Sequence, residues 1–404
     1  MPSRVITIHA DTGPSFVGYL ALPRTGSGPG LLLAAGAGGV DVAMRTIAER
    51  YAEEGYVTLA PDSDDIAAAA KTLRARREVE GGIGGVGFGR GSALVCQAAT
   101  SGAFAVAIAY DAADIDPAIP CPIQVHLAAN DKTTSPATVE RLRSALAGHA
   151  CADIHVYPRV ERGFWNHGRP DVYDKPTARF ADTRAIAFLR GVLGPTFDLA
   201  ALWDEHVRQE IVVKDVDATM ATMVAEPYVN HVPTMTGGTG YRELYRFYRD
   251  NFISKRPGER VAIPISRTVG PDRVIDEIYV RLKHDIEIDW LLPGIAPTGK
   301  WLEAAFIVVA CFRGDKLYHE HIYWDQASLL VQLGLIDAKR LPVGGAEVAR
   351  KLLDESLPAN ELIVRAAKRR RARPKRRRAS AAAKRREPRA GAKRRRAGRA
   401  HRRV

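Results

Sequence analysis

The chain is 404 residues long, enough for two or three domains with cores of their own, and 46% hydrophobic against 26% charged residues marks its bulk as globular. No apolar run nears the roughly 18 residues of a membrane span, and the opening MPSRVITIHA lacks a leader's apolar core, so neither membrane insertion nor export is expected and a cytoplasmic location is. The net charge of +13 is uneven: residues 368–404 hold 20 of the 59 basic residues and one acid, Glu387, a charge of +19 that leaves −6 on residues 1–367.

Up to residue 195, short apolar runs at 5–8, 17–22, 30–35, 57–61, 83–87, 103–110, 123–128 and 154–157 alternate with helix-like segments at 43–54, 66–79, 91–101, 138–147 and 175–192. Buried strands alternating with amphipathic helices predict a mostly parallel sheet covered on both faces, an α/β domain over 1–195. Cys96, Cys121, Cys151 and Cys311 have no zinc-like spacing and read as buried free thiols.

After Gly194-Pro195 the pattern changes. A helical stretch carrying Leu202, Val207, Ile211, Val216, Met220 and Val224 and a second with Leu244, Phe247, Tyr248 and Phe252 precede period-two strands at 260–269, 273–283, 286–292, 301–313 and 316–324. Helices followed by antiparallel strands predict an α+β domain at 196–347 in which a curved sheet wraps a helix. A helical linker at 348–367 and a disordered Arg/Lys-rich tail at 368–404 complete the expected organisation.

The first candidate site is Val86-Gly87-Phe88-Gly89-Arg90-Gly91-Ser92, which follows a predicted strand and opens a predicted helix, the context of a nucleophile elbow. Together with GAGGVDVAMRTIAERYAEEGYVTLAPD, HLAANDKTTSP and VYPRVERGFWNHGRPDVYDKPTARFADTRAIAFL, it resembles the dienelactone hydrolase (carboxymethylenebutenolidase) family of α/β-hydrolases over residues 1–193. The resemblance implies a Cys-His-Asp triad. Asp131 matches the acid, whereas Gly89 stands in place of the Cys and Arg162, in Arg162-Gly163-Phe164, in place of the His. Losing the nucleophile or base of a triad removes roughly six orders of magnitude in rate, so hydrolysis by the family mechanism is not expected. A carboxylate-binding pocket flanked by Arg90 and Arg162, with amides of the Gly36-Ala37-Gly38-Gly39 loop, fits the changes. The competing reading is an esterase or lactonase rebuilt on Ser92 with His167 and Asp131.

The second site rests on YVNHVPTMTGG, SRTVGPDRVIDE, HDIEIDWLLPG and HEHIYWDQASLLVQLGLID, which resemble the SnoaL-like polyketide cyclase families with the nuclear transport factor 2 fold, over residues 200–345. Period two places His319, His321, Tyr323 and Asp325 on one strand face, opposite Glu320, Ile322 and Trp324. His321 and Asp325 are about 13 Å apart on such a strand, so a partner must come from His284, Asp276 or His231. The resemblance implies Asp325 as the proton-transferring base; read from the residues alone, Asp325 is equally an N-cap of the following helix. His284, His231, Asp276 and Tyr323 complete the expected ligand pocket, with no cofactor and no metal, although His319-x-His321 has ligand spacing. The expected partners are a small carbonyl or carboxylate compound, a second copy of the chain through the second domain, and non-specific nucleic acid or another polyanion. The last would bind through a tail that includes Arg369, Arg370, Arg371, Arg376, Arg377, Arg378, Arg394 and Arg395 and has no aromatic residue to stack on bases. A non-enzymatic, tail-tethered scaffold is the other reading of the whole.

Overall fold

The computed structural model of the chain describes residues 2–35, 39–112 and 114–372. It divides into a body, Met1–Glu355, and a C-terminal segment, Ser356–Val404. The body is built on two sheets.

The first sheet has eight strands: β1 (Ser3–Ile8), β2 (Phe16–Ala21), β3 (Gly28–Ala34), β4 (Val57–Pro61), β5 (Val79–Phe88), β6 (Val106–Tyr110), β7 (Ile123–Ala128) and β8 (Ala152–Tyr157). Their order is β1-β2-β4-β3-β5-β6-β7-β8, antiparallel from β1 to β4 and parallel from there on. Runs such as Gly30–Ala34 and Val57–Pro61 have no polar alternation because helices cover both faces. On one face α2 (Ile66–Arg74), α3 (Arg90–Thr100) and α4 (Pro136–Ala145) contribute Leu73, Val95 and Leu142 to one core; on the other, α1 (Val42–Glu53) and α5 (Lys175–Leu193) contribute Ile47, Tyr51 and Leu189 to a second. Cys96, Cys121 and Cys311 are buried, whereas Cys151, expected to be buried, is exposed just before edge strand β8.

The second sheet follows α6 (Leu199–Val207), its π-helical continuation Arg208–Val213, and α7 (Val216–Ala221). Its strands are β9 (Met223–His231), β10 (Thr236–Thr239), β11 (Arg260–Val269), β12 (Arg273–Lys283), β13 (Trp301–Arg313) and β14 (Lys316–Trp324), in the order β10-β9-β14-β13-β12-β11. Between β10 and β11 lie α8 (Tyr241–Phe247) and a second π-helical turn, Tyr248–Phe252; α9 (Gln326–Leu333) and α10 (Glu347–Arg350) follow β14. The helices pack Trp203, Phe247 and Phe252 onto one face of the sheet with Phe306, Ile322 and Trp324.

Three elements differ from expectation. Val224, expected to close a helical stretch, lies in β9, because α7 ends at Ala221. Residues 286–292 are not a strand: Leu291 and Leu292 turn back to donate to the Ile288 carbonyl at 3.0 and 2.7 Å, while Ile288 and Trp290 still plug the core. The alternation is therefore one of burial without a ladder. Residues 348–367 are not one helical linker, since α10 ends at Arg350 and a separate helix, α11 (Glu361–Ala372), begins later. That helix takes in Arg369, Arg370 and Arg371, so the first residues of the basic tail are helical; Arg376, Arg377, Arg378, Arg394 and Arg395 lie outside the described residues. Among the described residues no helix is long and apolar enough to cross a membrane.

Six helices start in the same way. α1, α2, α5, α6, α7 and α9 each open on an aspartate (Asp41, Asp65, Asp174, Asp198, Asp215, Asp325) whose carboxylate accepts the amide three residues on. Such a cap contributes about 1 kcal/mol and satisfies an amide the helix leaves free.

Candidate functional site

The elbow is built by glycines that admit no alternative. A Cβ on Gly87 would land on the backbone of Ser92, and one on Gly91 on the Ala34 carbonyl, so only bare backbone lets β5, the turn and α3 interlock with β3. At the apex, Gly89 has φ 54° and ψ −116°, a strained setting that L residues adopt rarely, and its amide donates to Tyr110 O at 3.0 Å. The turn therefore has the strain of a nucleophile elbow and no side chain at its tip. Ser92 does not replace it: the residue is fully buried and its hydroxyl donates to the Tyr110 carbonyl at 2.6 Å. The rebuilt triad also fails at His167, which is exposed and faces Tyr173 with 6.4 Å between ring centroids.

Asp131 follows β7, with a largely buried side chain that accepts from the Thr133 amide at 2.9 Å and its hydroxyl at 2.8 Å. Arg162 approaches the same carboxylate to 3.5 Å and donates through Nη2 to the Asp111 carbonyl at 3.1 Å. Where a relay would need a neutral imidazole to take up a proton, this chain has a permanent cation paired with the acid.

Asp111, which the sequence reading passed over, stands at φ 64° directly after β6. Its Oδ2 accepts from the Gly163 amide (3.1 Å) and Trp165 Nε1 (2.9 Å), and Oδ1 is buried without a partner among the described residues. Burial pushes its pKa up against those bonds and the charge of Arg162. Gly89, Asp111, Arg162 and Trp165 border a cleft of about 480 Å³. Arg90 at its rim is paired with Asp64, and Arg169 with Asp171 at 2.6 Å. Of the glycine loop only Gly39 lies within the described residues. Among the described residues that line the cleft, none sets a nucleophile or an imidazole beside Asp131.

The second lobe corrects the other expectation. Phe312 pairs with Leu317 but Cys311 with His319, so Tyr318 is an extra residue, a β-bulge that resets which face each following side chain takes. Glu320, Ile322 and Trp324 face the helices and the core, while His319, His321 and Tyr323 face away from it. His321 lies against Tyr228 and His319, and Tyr323 is 42% exposed. Asp325 is exposed and caps α9 through the Ser328 amide at 3.2 Å. Asp276 is held by Arg267 at 2.7 Å and Trp203 at 2.8 Å. His231 is enclosed by Phe247, Phe252, Trp290 and Trp324, and burial presses its pKa to about 4. His284, fully buried beyond β12, meets Thr298 Oγ1 at 3.1 Å. These residues do not converge on one pocket, so the proposed base, its histidine and their partners are separate structural groups.

What the second lobe does bury is a polar cluster absent from the sequence reading. His206 lies 3.2 Å from Glu320 and shares a 2.6 Å hydrogen bond with Thr222; Tyr248 donates to Glu320 at 3.3 Å. Glu210 faces the same group, its pKa pushed up to about 7 by burial and by the charge of Glu320. Burial presses His206 down, but its hydrogen bond to Glu320 and the charges of Glu320 and Glu210 outweigh that and leave it raised. Glu210 and Tyr248 sit in the two π-helical turns, where the period of 3.6 breaks and sequence spacing gives no face.

The strand order, the helices on both faces and the elbow define an α/β-hydrolase-like fold for the first lobe. Residues 63–193 match the dienelactone hydrolase family, and this stretch is a domain of that family. Solved structures similar to the chain include a dienelactone hydrolase-like promiscuous phosphotriesterase from metagenomic libraries, with 18% identity over 48% of this chain and 99% of that one and a TM-score of 0.42. A Thermogutta terrifontis esterase with propionate bound shares 15% identity over 48% of this chain and 97% of its own, TM-score 0.40. An esterase of Pyrococcus furiosus shares 14% over 48% and 94%, TM-score 0.39. The curated proteins gave no match.

Proposed function

We propose that the first lobe is a dienelactone hydrolase scaffold that binds a small carbonyl or carboxylate compound without hydrolysing it. The observation that carries this reading is the bare backbone of Gly89 at the strained apex, and the Arg162–Asp131 pair at 3.5 Å beside it supports the same conclusion. With nucleophile and base both missing, roughly six orders of magnitude of rate are gone. Turnover of p-nitrophenyl acetate and of a dienelactone by the wild type should not exceed that of a heat-denatured sample. The double variant Gly89→Cys, Arg162→His should gain measurable hydrolysis, since the backbone already holds the elbow angle. Saturable wild-type turnover would sink the proposal.

We read the second lobe as SnoaL-like with the nuclear transport factor 2 fold, a binding or pairing module. The strand order β10-β9-β14-β13-β12-β11 with helices on one face supports this, and the dispersal of Asp325, His321 and His284 argues against cyclase chemistry there. Polyanion binding by the basic tail belongs to the same reading, in the protein's cytoplasmic setting.

A further inference from the structure

A second cavity, of about 250 Å³, lies where the two lobes of the body meet. α1, α5 and the segment before α5 wall it on one side, and the ends of β12, β13 and β14 on the other. Its charges do not balance. Of the three acids in the lining, Asp182 is taken by Arg50 (2.6 Å), Asp272 by Arg273 (2.8 Å) and Glu54 by Arg190 (2.7 Å). Arg313 is matched by Glu53 at 2.6 Å. Lys175 and Arg179 remain, with no carboxylate partner among the described residues; Arg179 has only the Tyr318 hydroxyl at 3.2 Å.

In the same lining, within the field of Arg179, sits His319, 4% exposed, with Nδ1 buried and unpartnered. Burial and the charges of Arg179, His321, Arg273 and Arg313 hold its pKa near 3, so at neutral pH it is an uncharged imidazole able to donate one hydrogen bond. A ring nitrogen left unmet beside an uncompensated guanidinium, in a cleft walled by protein, is costly in the empty state, and an anion that accepts a hydrogen bond from the ring and pairs with the guanidinium relieves both.

We propose that this inter-lobe cavity binds a small organic anion, its carboxylate or phosphate group held by Arg179, Lys175 and the His319 ring and its flat apolar body packed on Trp165 and Tyr173. The volume is near the lower end for small-molecule sites, which limits the ligand to about one ring and its charged group. The guanidinium suits the two oxygens of either anion. Because both lobes supply the site, a ligand there also bridges them. The site stands apart from the Gly89 cleft, to which Arg162 belongs; Trp165 borders both.

The test is calorimetric titration of the full chain with benzoate, phenyl phosphate, inorganic phosphate and, as the uncharged control, benzyl alcohol. Benzoate or phenyl phosphate should bind at least about tenfold more tightly than benzyl alcohol, and the better of the two identifies the anionic group. Arg179→Gln and His319→Gln should each weaken that binding about tenfold, and Lys175→Gln, at an exposed position, should weaken it while leaving Tm unchanged. Arg162→Gln should leave in place the binding that Arg179→Gln removes, even where the Gly89 cleft takes up the same anion. No binding of either anion up to about 20 mM, binding as tight as the wild type's in both Lys175→Gln and Arg179→Gln, or loss of binding in Arg162→Gln would each overturn the proposal; the last would place the ligand in the Gly89 cleft and leave the first-lobe reading standing.

Discussion

Glu54, at the end of α1, accepts a 3.0 Å hydrogen bond from the backbone amide of Gly314 in the β13–β14 turn, and so joins the first lobe to the second. Arg190 of α5 completes the arrangement at 2.7 Å, with its own bond to the Pro271 carbonyl across the same junction.

Removing that carboxylate leaves Arg190 nearly buried without its countercharge. Glu54→Ala should cost about 3–5 kcal/mol, the usual penalty for breaking one side of a buried pair. Gly314 is equally constrained, because at φ 58° its Cβ would meet the Glu53 carbonyl, so Gly314→Ala should destabilise as well. Urea denaturation of the two variants measures both; a loss below about 1 kcal/mol in each would mean that the lobes hold together without this contact.

Asp325 gives the clearest separation of cap from catalyst. Asp325→Asn should be nearly neutral, since Asn caps as well, and Asp325→Ala should lose about 1 kcal/mol from the free Ser328 amide. Thermal unfolding of both reads this directly. If Asp325→Ala kept full stability yet lost a ligand or an activity, the side chain would belong to a site after all.

The sequence carried the first lobe well because its signals are local: continuous apolar runs between helices, and glycines that nothing can replace at positions 87 and 91. It also carried β11 to β14, whose alternation is long. At β14 the grouping of His319, His321 and Tyr323 opposite Ile322 and Trp324 holds, but which group faces the core is not legible from alternation along the strand, because the bulge at Tyr318 turns the strand over after Leu317 and leaves no mark in the pattern. Ile322 and Trp324 were the available correction, being the apolar members of the opposite face. The start of β9 is hidden because Val224 and Met220 fit a helical spacing. The buried cluster of Glu210, His206 and Glu320 was out of reach, because Glu210 and Tyr248 lie in π-helical turns whose spacing no fixed period describes.

The basic tail predicts a salt-dependent, sequence-independent interaction. A chain ending at residue 367 has a net charge of −6, so it should lose double-stranded DNA binding while keeping the Tm of the full chain. For the full chain the logarithm of affinity should fall with that of salt concentration by about 0.9 per phosphate neutralised. Fluorescence anisotropy with two unrelated duplexes tests this; retained salt-dependent binding by the truncated protein would locate the contact on the acidic body instead.

The buried cluster of the second lobe sets a pH dependence. In the folded protein Glu210 titrates near 7, above its ordinary value of 4.5, because burial and Glu320 disfavour its charge while Arg256 and His206 only partly offset them. A carboxyl with a raised folded pKa contributes stability that is full below about 4.5 and is lost as pH rises through about 7. His206, also raised, acts in the same direction, and Tyr248 stays protonated throughout because burial holds its pKa well above 10. Glu210→Gln keeps the neutral shape and removes one titration, so it should match the wild type near pH 5 and exceed it by on the order of 2 kcal/mol near pH 8. Urea denaturation of the two proteins across that range gives the comparison directly. A constant stability difference between them at every pH would mean that Glu210 is charged in the fold, with Arg256 and His206 compensating it in full, and that the π-helical turn holds an ion pair rather than a neutral acid.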